Sequence, residues 1–132
     1  IYGTRLKPIV AAAMACQTGR IDEPTVSNDE CISMAFIHGG ARGYIGASRL
    51  AYGLVEVVDG ELENTDALYL VERFTYYTCS EDMGMGMALQ YAKNDMVGFN
   101  QGIDGSFGAK VALYEYVLYG DPAGSAFVPK FD

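Results

Sequence analysis

The apolar run near the start of the chain, Pro8 to Ala15, constrains the fold most. It contains only apolar and small residues, a composition typical of a strand that a parallel sheet buries on both faces. A polar turn, Cys16-Gln17-Thr18-Gly19, follows directly. The sequence therefore predicts a central strand that carries a cysteine at its carboxyl end.

A helix and a second strand are predicted next. Ser27 and Glu30 have the spacing of a capping box, and apolar residues then recur at helical spacing from Asp29 as far as the glycines after His38. Tyr44 to Ser48 is the next predicted strand. A strand–helix–strand unit of this length implies two parallel strands joined by a right-handed crossover.

The rest of the chain predicts an α/β domain whose sheet is incomplete. In chain order we expect a hairpin (Leu54 to Leu62), a helix from Thr65, a capping box (Thr78 and Glu81), a helix with Met85 to Met96 in register, a glycine-rich loop (Gln101 to Gly108), a helix (Ala109 to Tyr116) and a short strand (Val117 to Tyr119). Two secure strands and a short third are too few to cover these helices. Sequence before Ile1, or another chain, is expected to supply the missing strands.

Composition and charge exclude several classes of protein. The 132 residues form one domain at most, and half of them are hydrophobic, as in a globular protein. The net charge is −8 and the nine Lys and Arg residues are scattered, so nucleic acid is not an expected partner. The longest apolar run is too short to span a bilayer.

Metal ligands are sparse. The three cysteines contain no CxxC pair, and His38 is the only histidine, so we expect neither a structural zinc site nor a disulfide framework. Asp104, in a glycine-rich stretch, has the chemistry of a calcium ligand but lacks the spacing of a known calcium loop. The prediction is therefore no metal and no cofactor, with calcium as the alternative.

Cys16 is the strongest candidate for chemistry. Loops beyond the carboxyl ends of parallel strands line clefts, and backbone N–H groups of the turn could stabilise an oxyanion. The alternative is that Cys16 is a small hydrophobic residue that ends a buried strand. Position alone leaves both readings open. Cys31 is expected to pack on a helix flank, and Cys79 has no evident activating partner.

Four blocks of sequence resemble the catalytic domain of gingipain-type cysteine peptidases, in the same order as in that family. They are Pro8 to Gly19, Ala35 to Ser48, Met85 to Lys93 and Val117 to Ala123. The turn that follows Met14 also resembles the nucleophile turn of caspase-fold peptidases, and the Leu-Tyr-Gly-Asp-Pro string of the last block is shared with the related CHAT domains. The resemblance implies that residues 1–132 are the C-terminal, nucleophile-bearing part of a caspase-like three-layer α/β domain with a mainly parallel sheet.

The resemblance also implies a mechanism. Cys16 would attack a peptide carbonyl as a thiolate and form an acyl-enzyme, with Gln17 and Gly19 completing the nucleophile turn. The Cys16 N–H and a glycine N–H beside the catalytic histidine would hold the oxyanion. In the family that histidine lies upstream, in a His-Gly pair, so an upstream segment or a separate chain would supply it. His38 is expected to lie on a packed helix flank rather than to act as this base.

The peptide or protein substrate is expected to lie against the segment after the second strand, where Ser48, Arg49 and Tyr52 form one wall of the cleft. A processed, secreted enzyme at the cell surface or outside the cell is the leading hypothesis. A cytoplasmic CHAT-type effector protease is a second. A catalytically inactive caspase-like domain, acting as a structural or interaction module, is the third.

Overall fold

The computed structural model describes residues 5–6, 8–22, 30–58, 60–98 and 106–126. Within these residues the elements, in chain order, are β1 (Val10–Ala12), α1 (Ile32–His38), β2 (Gly43–Ala47), β3 (Gly53–Val58), β4 (Glu61–Thr65), α2 (Asp66–Cys79), α3 (Met85–Met96), α4 (Phe107–Glu115) and β5 (Tyr116–Gly120). None of the helices in these ranges has the length and apolarity needed to cross a membrane.

The main sheet has the order β1-β2-β5. β1 pairs with β2 in parallel, with Val10 opposite Gly43 and Ala12 opposite Ile45, and α1 lies between them in the chain. The predicted parallel crossover is therefore confirmed. β5 pairs with β2 antiparallel. β2 is the central strand of the described sheet, and all five of its residues are buried because it is paired on both edges and helices cover both of its faces.

Helices cover both faces of the sheet. Successive side chains of a strand point to opposite faces. Tyr44 contacts Phe36 of α1, with ring centroids 5.3 Å apart, whereas Ile45 belongs to the core cluster formed with α2, α3 and α4. The result is the three-layer arrangement of an α/β domain, which confirms the predicted α/β class. Of the strand pairings in the described residues, β1 with β2 is parallel and the other two are antiparallel.

The helices bury the faces that their periodicity predicts. α2 buries Leu70 and Phe74, and α3 buries Met85, Ala92 and Met96. β3 and β4 form a separate antiparallel pair, which confirms the predicted hairpin. α4 buries only small residues, so it can approach the rest of the core closely.

Some predicted boundaries were wrong. β1 has three residues instead of eight: the Ala13 N–H still donates to the Ile45 carbonyl at 3.0 Å, but the chain then bends into the turn. Small side chains offer little cross-strand contact to prolong the strand. The strand is also not buried on both faces, since Ala12 is exposed.

The capping predictions also need correction. Thr78 lies inside α2, where its hydroxyl donates to the carbonyl of Phe74, so it caps no helix. α1 begins at Ile32 instead of Asp29, and the predicted cap Ser27 lies outside the described residues. The end of the predicted loop, Phe107 and Gly108, belongs to α4.

The segment that follows β5, from Asp121 to Gly124, caps the start of α3. The first N–H groups of this helix, from Met85 and Gly86, donate to the carbonyls of Gly124 (2.9 Å) and Pro122 (2.8 Å). A Cβ atom at Gly86 would lie 2.7 Å from the Pro122 Cβ atom, so a larger residue does not fit there. Asp121 accepts the N–H of Ala123 within its own turn.

Candidate functional site

The turn that carries Cys16 is held against the carboxyl end of β2. The Gln17 N–H donates to the Arg49 carbonyl at 2.5 Å, and the Gly19 N–H donates to the Ala47 carbonyl at 2.8 Å. These two amides therefore fix the turn. The Cys16 N–H makes no hydrogen bond to any of the described residues, so it is the amide of the three that is free to bind an oxyanion.

Two residues give the turn its shape. Gln17 has φ of 59°, in the left-handed region that residues other than glycine rarely adopt. Gly19 lies so close to β2 that a Cβ atom there would be 2.5 Å from the Gly46 carbonyl oxygen. Close backbone packing at Gly19 and an unusual conformation at Gln17 thus place Cys16 at the rim of the sheet.

Two tyrosines of β5 hold the chain on either side of the turn. The Tyr116 hydroxyl donates to the Ala13 carbonyl at 3.1 Å, and the Tyr119 hydroxyl donates to the Gly19 carbonyl. Burial, with smaller contributions from Tyr44 and Cys16, raises the pKa of Tyr116 to about 12. The hydroxyl therefore remains a donor throughout the physiological pH range.

The sulfur of Cys16 lies against the peptide groups of Ala51. The Ala51 N–H donates to the Cys16 Sγ atom at 3.3 Å, and the thiol donates to the Ala51 carbonyl oxygen at 3.4 Å. Cys16 is exposed, whereas Cys31 is buried at the N-terminus of α1. Cys79, at the end of α2, is exposed as well.

The predicted cleft residues lie next to this turn, but two of them, Ser48 and Arg49, are hydrogen-bonded to other side chains. The Ser48 hydroxyl donates to a carboxylate oxygen of Glu115 at 2.5 Å, and the Ser48 N–H donates to the Glu115 carbonyl at 2.8 Å. Arg49 forms a bidentate ion pair with Asp22, at 2.8 and 2.5 Å. Tyr52 is exposed and packs edge-on against Phe107, at 5.6 Å between ring centroids.

The ion pair of Asp22 and Arg49 ties the segment after the turn to the cleft wall. Hydrogen bonds from Arg49, and then from Arg20, lower the pKa of Asp22 to about 2. Sequence reasoning missed both Asp22 and Glu115. Neither has a local sequence signal for its contact with the cleft wall, because Arg49 and Ser48 are distant in the chain and approach only after it has folded back on itself.

A polar cleft of about 380 Å³ opens beside the turn. Its walls come from the segment after the turn, from the end of β2, and from α4 and β5: Gly19, Asp22, Ser48, Arg49, Tyr114 and Tyr119 line it. The predicted nucleophile turn and two of the predicted wall residues therefore border one concave surface at the rim of the sheet.

His38 lies at the opposite end of the sheet. It is the last residue of α1, and the next residue, Gly39, accepts a hydrogen bond from the Leu6 N–H at 2.6 Å. Leu6 precedes β1, so this end of α1 lies at the amino end of the strand, whereas Cys16 follows the carboxyl end. His38 therefore lies on a helix, as expected, but it is exposed, so the expectation that it packs on a helix flank was wrong.

The described residues contain no group of three or more His, Cys, Asp or Glu side chains that could hold a metal ion. Asp104, the suggested calcium ligand, lies outside the described part of the chain.

Comparison with known proteins gives one match. Residues 3–126 match the family model described as peptidase family C25, whereas the comparisons with curated proteins and with solved structures found nothing that matches. The matched segment contains the Cys16 turn, the whole sheet and α1 to α4. The chain therefore belongs to peptidase family C25, the gingipain family of cysteine peptidases.

Proposed function

We propose that the chain carries the nucleophile of a cysteine endopeptidase and that this nucleophile is Cys16. The observation that carries the proposal is the exposed Cys16 sulfur on a turn held at both ends, in a member of peptidase family C25. A thiolate there is accessible to a peptide, and the Cys16 N–H, which bonds to none of the described residues, lies beside it to bind the developing oxyanion.

The reaction follows from these groups. The Cys16 thiolate attacks the scissile carbonyl carbon, and the carbonyl oxygen becomes an oxyanion near the Cys16 N–H. A base that took the thiol proton returns it to the amine, the C–N bond breaks, and a thioester joins the acyl part to the sulfur. Water, deprotonated by the same base, then attacks the thioester, the C–S bond breaks to release the carboxylic acid, and the base returns the proton to the Cys16 sulfur.

The base belongs to another segment under this proposal. His38 lies at the opposite end of the sheet from Cys16, and the sequence contains no second histidine. Among the described residues, β1 pairs with a strand on one edge only. Its other edge borders a groove of about 500 Å³, formed with α2 by mainly apolar residues such as Ile9, Val10 and Phe74. A further strand that pairs there would bring a histidine from its carboxyl end to the Cys16 rim.

The test compares the complete peptidase, with its histidine-bearing segment, and its Cys16→Ala and His38→Ala variants. We expect Cys16→Ala to abolish peptide hydrolysis and His38→Ala to leave kcat/KM unchanged. Brief treatment with iodoacetamide, followed by mass mapping, should modify Cys16 before Cys79, which is also exposed, because the Ala51 N–H that donates to the Cys16 sulfur would stabilise its thiolate.

Two results would contradict the proposal. Hydrolysis that survives Cys16→Ala would exclude Cys16 as the nucleophile. A complete protein that alkylates at Cys16 but hydrolyses no peptide would favour the inactive structural or interaction module. An extracellular location is part of the same proposal, and detection of the protein in the culture medium or on intact cells would test it.

A further inference from the structure

Asp66 is a buried carboxylate that the proposed peptidase reaction does not use. It is the first residue of α2 and is only 5% exposed. Its φ is 54°, in the left-handed region. Backbone strain of this kind persists only where the surroundings hold it in place, and it is concentrated near functional sites. Gln17, directly after Cys16, is in the same unusual region.

The carboxylate of Asp66 binds the start of α4. The Ser106 hydroxyl donates to Asp66 Oδ1, and the Ser106 Oγ atom accepts the Ala109 N–H at 3.0 Å as the helix cap. The Asp66 Oδ2 atom lies where a side chain on Gly108 would begin, 2.3 Å from the position of a Cβ atom there. A carboxylate is also favoured at a helix N-terminus by the helix dipole. Asp66 therefore joins α2 to α4.

The main chain beside Asp66 holds the segment that contacts the Cys16 sulfur. Asp66 forms an antiparallel bridge with Gly53, and the Ala67 N–H donates to the Tyr52 carbonyl at 2.8 Å. The residue before Tyr52 is Ala51, whose N–H and carbonyl both contact the Cys16 Sγ atom. On the other side, the Tyr52 ring packs on Phe107, next to Ser106 in α4.

We propose that Asp66 is a positioning residue for the nucleophile. Its hydrogen bond with Ser106 fixes residues 51–53 between α2 and α4, so that the Ala51 peptide groups orient the Cys16 sulfur and the Tyr52 ring stays packed on Phe107. Asp66 itself does not touch the reacting atoms. This inference rests on the proposed role of Cys16.

The test varies the hydrogen bond while keeping the cap of α4. Ser106→Thr keeps both the cap and the donor. Ser106→Asp keeps an oxygen to accept the Ala109 N–H but sets a second carboxylate against Asp66. In the double variant Asp66→Asn with Ser106→Asp, the amide at position 66 donates and the carboxylate at position 106 accepts. The hydrogen bond is thus restored with its donor and acceptor exchanged. The readouts are kcat and KM of the complete peptidase, with active enzyme counted by stoichiometric alkylation.

We expect Ser106→Thr to resemble the unchanged protein. Ser106→Asp should lower kcat per active enzyme by about tenfold or more, because a small displacement of a reacting group is costly. KM should stay within about twofold, since the change acts on orientation rather than on substrate binding. The double variant should recover most of the lost kcat.

Alkylation provides a second readout that needs no hydrolysis. In Ser106→Asp the ratio of the Cys16 rate to the Cys79 rate should fall about threefold, because the Ala51 N–H no longer supports the reactive thiolate. The double variant should restore the ratio. An unchanged ratio and unchanged kcat in Ser106→Asp would overturn the role of Asp66. If Cys16→Ala stays active, the proposed function fails instead, and the alkylation ratio still decides whether Asp66 positions the sulfur.

Discussion

Gly19 shows how one residue sets the position of the nucleophile turn. Its N–H reaches the Ala47 carbonyl, its carbonyl accepts the Tyr119 hydroxyl, and its α-carbon lies against the backbone of Gly46. The close approach to Gly46 requires a residue without a side chain. They fix the end of the turn three residues after Cys16.

We therefore predict that Gly19→Ala destabilises the protein by about 1–3 kcal/mol, because the new methyl group would collide with a backbone carbonyl that cannot move freely. Gly98→Ala is the matched control, since a Cβ atom at Gly98 meets nothing within 4 Å. It should change the free energy of unfolding by less than about 0.5 kcal/mol. Urea denaturation of both variants gives the comparison, and equal effects would contradict the close packing at Gly19.

The ion pair between Asp22 and Arg49 predicts a pH dependence at the same rim. The pKa of Asp22 in the folded state is about 2, below the ordinary value of 3.8. A lowered pKa adds stability above the unfolded value, and this stability is lost as the pH falls from about 3.8 through about 2. Asp22→Asn should therefore have a lower melting temperature than the unchanged protein above pH 4, and the difference should shrink below it.

Arg49→Ala provides the control for this prediction. Asp22→Asn made in the Arg49→Ala background should show a much smaller difference, because the partner that lowers the pKa is gone. A melting-temperature difference that does not depend on pH in either background would show that the pair does not form in solution.

At the scale of elements, β5 supports the turn as well as the sheet. β5 pairs antiparallel with β2, so Tyr116 and Tyr119 reach past β2 to carbonyls of the chain on either side of the turn. The short strand β1 has a single strand partner among the described residues. The tyrosine hydroxyls therefore add contacts that its own pairing does not provide.

Tyr116→Phe should lower the free energy of unfolding by about 1 kcal/mol, because the Ala13 carbonyl loses its donor at a buried position. Tyr76→Phe is the matched control: its hydroxyl donates to Glu81 at an exposed site, where water can replace it.

In the unchanged protein, the pKa of Tyr116 is raised to about 12 from 10. Because the pKa of Tyr116 is higher in the folded than in the unfolded protein, its contribution to the free energy of unfolding is lost as the pH rises from about 10 to about 12. Tyr116→Phe lacks the titrating hydroxyl and should therefore lose less stability over this pH range.

At the scale of the whole molecule, the edge of β1 that pairs with none of the described strands is the place where another segment is proposed to pair. Ile9 is 37% exposed at this edge, and the apolar groove beside it continues onto α2. An unpaired strand edge with an apolar groove is a surface that a further strand can cover.

We expect Ile9→Lys to weaken association with the histidine-bearing segment by about tenfold or more, because a charge would be buried in the apolar groove. Met87→Lys, at an exposed position of α3, is the control and should leave association unchanged. Binding of the separately produced segment, measured by calorimetry, tests this. Equal affinity of both variants would place the histidine-bearing segment elsewhere.

Local sequence patterns were sufficient for several features. Helical periodicity predicted the core faces of α2 and α3, and the strand–helix–strand spacing predicted that β1 and β2 are parallel, because both depend on residues close together in the chain. The order of the four blocks also indicated the family that the match over residues 3–126 shows.

Other features depended on long-range contacts and could not be read from local patterns. The short extent of β1 follows from which neighbours it finds, and the partners of Ser48 and Arg49 lie 67 and 27 residues away in the chain. The contact between the Cys16 sulfur and Ala51 spans 35 residues, and that between Asp66 and Ser106 spans 40. No local pattern encodes such pairs, because they form only when packing of the helices on the sheet brings distant segments together. The pattern could therefore mark Cys16 as the candidate nucleophile, whereas folding selects the groups that surround its sulfur.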